Sequence, residues 1–411
     1  MMQSMYSGIS GLQNFQNQMD VVGNNIANVN TVGFKAQRAD FATLFSQTLA
    51  GASAPSATQG GTNPVQVGLG VTLAGTDTNM TQGSLQETGQ PTDVGIQGQG
   101  FFIVQTGQGQ AFTRAGNFSV DATGQLTTPG GALVQGWEAN AAGTLPTQDA
   151  AHLTAITIPQ GATSPATPTA NVAFGGNLEA GTATTSPYVT EVDVYDSLGN
   201  LIPVTLTFTP SGTNAWSWTA TVPSTTTTPT TVGTGSLSFT ATGQLNTTSA
   251  AGTLNITPTD GASALSIKVN FGALTQFASA STAAASSVDG NAAGTLQTFA
   301  IDQTGAVTGV FSNGQRQLLG RIALASFVNP LGLQSTGGNL YTVSNNSGTP
   351  QVGVAGSGQL GSLAPGTLEM SNVDLAQEFT NMITAERAFQ ANAQVITTSD
   401  TMLQSLDQMV Q

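Results

Sequence analysis

His152 is the single histidine of the chain, so any histidine chemistry must run through it. A general base of the Ser–His–acid kind needs its imidazole held between a hydroxyl and a carboxylate, and a histidine metal site needs further ligands. His152 stands in Asp149-Ala-Ala-His152 beside a Pro-rich stretch, with no second histidine and no cysteine anywhere to complete a ligand set. It reads as a structural or surface histidine. Glu191, Asp193 and Asp196 form the densest acidic cluster. A strand would put Glu191 and Asp193 on one face, an arrangement open to general acid/base work or to calcium. Their spacing matches no calcium loop, so a solvated strand face running into an Asp-led turn is the preferred reading. Gly95-Ile-Gln-Gly98-Gln-Gly100 has the glycines of a phosphate loop but runs into Phe101-Phe-Ile-Val104, a strand and not the helix N-terminus that such loops require. No catalytic residue, metal site or cofactor is therefore expected, and the chain is read as a non-enzyme.

The composition narrows the partners. Only 7% of the 411 residues are charged, with 21 acidic against 7 basic side chains and a net charge of −14. Phosphate contacts need clustered cations, so nucleic acid is excluded as a partner, and so is attraction to an anionic membrane surface. No run of 18 apolar residues exists, so no membrane insertion by a helix is expected. The start, Met1 to Gly8, lacks the basic and apolar regions of a cleavable signal peptide. A chain of this length implies two to four domains.

The two ends carry the helical signal. Met5, Ile9, Leu12, Met19 and Ile26 follow steps of four and three, with Gln16 and Gly23 as the gaps and no intervening proline, and Asn28, Asn30 and Gly33 supply stop signals. From Leu375 the same steps pass through Phe379, Met382, Phe389, Ala393, Ile396, Leu403 and Val410. That is a heptad-like, coiled-coil stripe of about five heptads. Ser371-Asn-Val-Asp374 before it resembles a capping box, with Ser371 as the cap. A second line through Ile383, Val395, Met402, Leu406 and Met409 makes the apolar face too broad for one partner helix, which implies several neighbours.

Between the ends the pattern is β. Short strands are predicted at Phe101–Val104, at Phe118–Val120 and Leu126 around the turn Asp121–Gly124, and at Val189–Val194 and Val204–Thr209 around the turn Asp196–Asn200. Trp216-Ser-Trp218 opens another strand, and Phe299 to Phe327 reads as a meander. Linker-like composition at Gly51–Gly61, Pro159–Pro168, Pro223–Pro229 and Ser279–Ala293 marks joints or loops. The fold class expected is α plus mostly β, with paired terminal helices as a coiled-coil-like stem and nested β-barrel or β-sandwich domains inserted between them.

Residues 23 to 35, Gly-Asn-Asn-Ile-Ala-Asn-Val-Asn-Thr-Val-Gly-Phe-Lys, resemble the N-terminal signature of the bacterial flagellar rod and hook family. The resemblance continues in Gly95–Val104, in Phe112-Thr-Arg-Ala-Gly-Asn-Phe118 and in Gly130–Trp137. It resumes in Gly366-Thr-Leu-Glu-Met-Ser-Asn-Val-Asp-Leu375 and in Asn381–Asn392. The long β-rich insertion, with Asp193–Asn200, Val204–Phe208 and Trp216, is similar to the hook branch. This resemblance implies a self-polymerising subunit of a curved, flexible tube that passes motor torque to the filament and carries the export channel. It implies a division into residues 1–30 and 370–411 (inner tube wall), 31–70 and 358–369 (connecting segment), 71–150 and 286–357 (inner β domain) and 151–285 (outer β domain). Implied partners are other copies, a distal rod protein, a hook cap, a hook–filament junction protein and the type III export apparatus. The implied location is the extracellular flagellum, reached without a cleaved signal. Phe41-Ala-Thr-Leu-Phe45 has the form of an export-gate signal in such substrates; a core contact of the connecting segment explains it equally. Rival readings are a distal rod protein, a secreted β-rich carbohydrate-active enzyme or adhesin acting through Glu191 or Asp193, and a coiled-coil binding protein that does not polymerise.

Overall fold

The structure, a computed structural model, describes residues 2–55, 60–140, 143–159, 161–181, 186–223 and 229–410. Residues 56–59, 160 and 224–228 of the expected linkers lie outside these, as do the side chains of Leu406 and Val410 in the expected stripes.

Helix α1 spans Met2–Ala27 and α2 spans Leu375–Val410. Both helical predictions hold, and at 1.5 Å per residue α2 is about 54 Å long. The start of α2 differs in detail from the expected capping box. Asp374 Oδ1 accepts from the amides of Ala376 (2.9 Å) and Gln377 (3.3 Å), whereas Ser371 Oγ accepts only from Val373, before the helix begins. Asp374 is therefore the cap. Its position directly before Leu375 puts its carboxylate beside the first free amides, and its charge suits the positive end of the helix.

The chain forms two compact units. The first comprises residues 1–158, 299–308 and 318–411. After α1, strands β1 (Gln37–Thr43), β2 (Ser46–Ala50), β3 (Val65–Gly68) and β4 (Val71–Thr78) make a two-stranded ribbon, β1 pairing antiparallel with β4 and β2 with β3. The ribbon is fastened to α1 by side chains. Asn14 donates to the Val71 carbonyl (2.8 Å), and Asn25 exchanges two hydrogen bonds with the backbone of Gln37. The β core of this unit is a sheet in which Leu133–Glu138 pairs antiparallel with both Phe101–Thr106 and Arg316–Ser326, while Phe101–Thr106 continues into Gly109–Thr113. One face buries Phe101, Ile103, Phe112, Trp137, Phe327 and Tyr341. Phe112 and Phe327 meet edge to face at 4.8 Å, an arrangement aromatic rings prefer to direct stacking. Residues 151–158, expected in the outer domain, belong here, because Thr154–Ala155 pairs with Gln135 and Gly136.

The second unit comprises residues 159–298 and 309–317. It holds two four-stranded sheets. One is ordered Ala251–Ile256, Leu265–Phe277, Asn171–Glu179, Ala284–Val288; the other runs Tyr188–Tyr195, Leu201–Gly212, Ala215–Val222, Thr230–Ser238. Along Leu201–Gly212 and Leu265–Phe277 buried and outward positions alternate, which is the period a half-buried strand requires. The inward residues of both sheets share one core, where Phe271 contacts Phe174, Phe208 and Trp218. The predicted hairpin around Asp196–Asn200 is present in register, Val192 opposite Val204. Helices at the two ends with β-structure between them match the expected fold class.

Candidate assembly interface

The residues with chemical potential are not gathered. His152 is exposed at the end of the short turn Ala150–His152, and its Nδ1 lies 2.6 Å from Asp149 Oδ1. Asp149 also accepts from the amides of Ala151 and His152, so the pair fixes the turn. The His152 hydrogen bond holds the Asp149 carboxyl below its usual range. Glu191 and Asp193 lie on the solvent face of their strand, while Asp196 is fully buried. Its Oδ1 accepts from the amides of Leu198 and Asn200 at 2.8 and 2.9 Å. The cluster thus divides into a wet strand face and a turn. Among the described residues no group of three potential metal ligands occurs. The glycine segment is a tight passage between strands, with Gly98 at φ +105° and Gly100 at φ +132°.

The helical faces are different. α1 and α2 run antiparallel, with Gly8 against Ile396 and Asn392, and Gly11 against Asn392. A Cβ on Gly11 would lie 2.8 Å from the side-chain amide nitrogen of Asn392, which would have to swing aside. The most buried positions of α2 are correspondingly Ala385 and Ser399. Of the predicted interface, Met5, Leu12, Met19, Ile26, Met382, Phe389 and Ile396 are half-buried. Ile9, Leu375, Phe379 and Leu403 are exposed, Phe379 by 51%. Ile383, Val395, Met402 and Met409 are exposed too. Small residues, Val22 and part of the stripe make the contact within the chain, and the remaining large apolar side chains face outward. A buried phenylalanine or isoleucine contributes about 1.5–3 kcal/mol relative to an exposed one, so these stripes favour association. On the ribbon, Phe41 touches Phe15 with ring centres 6.4 Å apart, whereas Phe45 is 88% exposed. Phe41 is itself 38% exposed, so both phenylalanines of the motif reach the surface of the ribbon.

Where the helices and the ribbon leave the β core, a buried ionic cluster joins three distant segments. Glu369 Oε1 accepts from Lys35 Nζ (2.6 Å) and from the Gly83 amide (2.9 Å), and Oε2 accepts from Arg114 (3.3 Å). Lys35 also donates to the Thr81 carbonyl (2.7 Å), and Arg114 to the Gly98 carbonyl (2.9 Å). The Arg114 guanidinium sits 5.3 Å from the Phe101 ring centre, where the ring face attracts a cation. Gly33 donates to the Glu369 carbonyl at 2.7 Å with φ +70°. Its Cβ would lie 2.6 Å from the Ala115 amide, so only glycine passes there. Beside it, Asn372 accepts from the Ala36 amide and donates to the carbonyls of Asn79 and Thr81. The side chains of Lys35 and Glu369 are fully buried and that of Arg114 is 5% exposed. Two cations thus share one carboxylate. Burial pushes the Lys35 ammonium below its ordinary value, against the opposing pull of the Glu369 hydrogen bond, and burial lowers Arg114 likewise. Sequence reasoning missed this cluster. Its signal was that Lys35, Arg114 and Glu369 each fall in one of the quoted motifs, in a chain with only seven cations.

Family models match four stretches. They are those of the flagella basal body rod protein (residues 5–35), the flagellar hook protein FlgE/F/G D1 domain (95–170), the flagellar basal body protein FlaE D2 domain (161–291) and the flagellar basal body rod FlgEFG protein C-terminal region (364–409). The chain is 39% identical to the flagellar hook protein FlgE of Borreliella burgdorferi over 446 residues, covering 99% of both. It is 41% identical to that of Treponema pallidum over 458 residues, again covering 99% of both. Among solved structures, that of Helicobacter pylori flagellar hook protein FlgE2 matches with a TM-score of 0.51 and 17% identity, covering 69% of this chain and 100% of that one. At that identity the likeness concerns the fold.

Proposed function

This chain belongs to the flagellar hook and rod protein family, and from that premise we propose that it is the structural subunit of a bacterial flagellar hook. The observation that carries the proposal is the outward apolar surface of α1 and α2, in a chain that resembles hook proteins from end to end. The protein is structural and not an enzyme. Copies polymerise into a tube whose bore is lined by the helical pairs and whose outer layers are the β domains. The stripe residues Met5, Ile9, Leu12, Met19, Ile26, Leu375, Phe379, Met382, Phe389, Ile396 and Leu403 divide between the contact within a subunit and contacts between subunits. The tube is curved and bendable, passes torque to the filament, and carries the export channel. Its ends meet the distal rod protein, the cap and the junction protein. Subunits arrive unfolded through the type III export apparatus, with Phe41 and Phe45 read while the chain is extended.

A bending joint must shorten on one side and lengthen on the other as it turns. Close-packed helices resist such sliding. Polar β surfaces with few charges slide more cheaply, since few ion pairs must break. The match of residues 161–291 to a D2 domain supports a hook over a rod. The test is replacement of the hook gene in a hookless bacterium. Restored swimming with curved hooks of this chain supports the proposal. Straight structures would favour a rod protein, and expression without any axial structure would overturn the proposal.

A further inference from the structure

We propose that Arg387 of one subunit enters a cavity on a second copy of this chain and pairs there with that copy's Glu378; the inference rests on the self-polymerising reading above. The cavity, of about 480 Å³, lies between α1, the first turns of α2 and the β1/β4 ribbon. Val21, Val22 and Leu331 form its apolar lining, and Arg38, Asp77 and Glu378 its charged lining. Glu378 Oε2 is buried there and accepts no hydrogen bond. A buried carboxylate oxygen without a partner is costly, and the chain itself supplies none. Arg38 is already engaged, 3.0 Å from Asp40 and 3.6 Å from Asp77. The cavity lining thus holds one cation, already paired, against two carboxylates, and the cavity favours a second cation.

Arg387 is the only Lys or Arg in either terminal helix, and it is exposed with no ion pair among the described residues. It stands nine residues after Glu378. At 100° and 1.5 Å per residue, that places it on the opposite face of α2, about 13.5 Å along the axis. The two residues therefore cannot meet within one chain. A helical polymer is built from a heterologous contact, in which one surface of a subunit meets a different surface of the next. These two faces have complementary character. Phe379 and Ile383, exposed by 51% and 54%, precede Arg387 on its own face and present apolar surface followed by a cation. The cavity presents apolar surface followed by an anion. Desolvated in the contact, the guanidinium and carboxylate form a charge-assisted pair.

The test is charge exchange in the full-length chain, read by sedimentation and electron microscopy over a concentration series. Arg387→Glu or Glu378→Arg alone is expected to raise the concentration needed for polymer by about tenfold or more, and the double exchange to return it to within about threefold of wild type. If wild type polymerises and the double exchange recovers nothing, the pairing is overturned while self-assembly stands. If wild type forms no polymer at all, the self-assembly reading fails first and takes the pairing with it. Should a reversed variant lose its circular dichroism signal, Arg387→Cys with Glu378→Cys decides the matter, because the chain has no other cysteine. A short bismaleimide is expected to give a ladder of covalent oligomers at polymerising concentration, and a product that stays monomeric there overturns the pairing.

Discussion

The buried cluster at Glu369 gives an asymmetric prediction. Glu369→Gln removes the only carboxylate from a site that holds two cations, one fully buried and the other 5% exposed. Stripping one partner from a buried ion pair costs roughly 3–5 kcal/mol, mostly because the remaining charge has lost its water and gained nothing. Melting temperature moves by about 2–4 °C per kcal/mol in a unit of this size, so the expected fall is roughly 6–20 °C. Lys35→Met should behave quite differently. It leaves Glu369 and Arg114 as a balanced pair and loses the bond to the Thr81 carbonyl. The expected cost is about 1–2 kcal/mol at most. The assay is thermal and denaturant unfolding of the full chain by circular dichroism. In a Trp137→Phe background, Trp216 and Trp218 in the second unit supply a fluorescence control that should not move. Equal losses in the two variants, or a milder loss in Glu369→Gln, would refute the argument from charge imbalance.

The same cluster fixes a pH trend. The folded Lys35 ammonium sits below its ordinary 10.5, so between its folded and unfolded values the unfolded chain binds more protons. Stability of wild type relative to Lys35→Met should then rise as pH is raised toward that value. A relative fall in urea titrations across that range would contradict it. Asp374→Ala should cost about 1 kcal/mol and speed hydrogen exchange at the amides of Ala376 and Gln377, leaving the middle of α2 unchanged. Phe271→Ala, at the centre of the second core, should cost about 3–5 kcal/mol. Limited proteolysis should then find new cuts within 159–298 and not in the first unit; cuts spread over both would tell against separate cores.

The helices were legible because four-three apolar steps without proline leave few alternatives, and the hairpin at Asp196 because alternation ran straight into a turn sequence. The onset of α2 was off by three residues because Ser371 and Asp374 are both good caps and only the backbone path chooses between them. The stripe could not be divided into intramolecular and outward parts. That division depends on how α1 lies against α2, where Gly8 and Gly11 face Asn392 and Ile396, and glycine leaves no apolar signal in the sequence. The ionic cluster was illegible for a different reason: Lys35 and Glu369 are separated by 334 residues, and no local pattern links them. What the motifs did carry was charge: Lys35, Arg114 and Glu369 each lie in one of them, in a chain with only 7% charged residues.

The central claim is self-assembly through the terminal helices, and electron microscopy of the purified full-length chain at high concentration tests it most directly. The account predicts a hollow, curved tube whose innermost density is helical and accommodates α1 and α2 as antiparallel pairs, with Phe379 and Ile383 covered by neighbours. A chain that stays monomeric at every concentration, or a polymer whose bore is lined by β-structure while both helices face solvent, would contradict it.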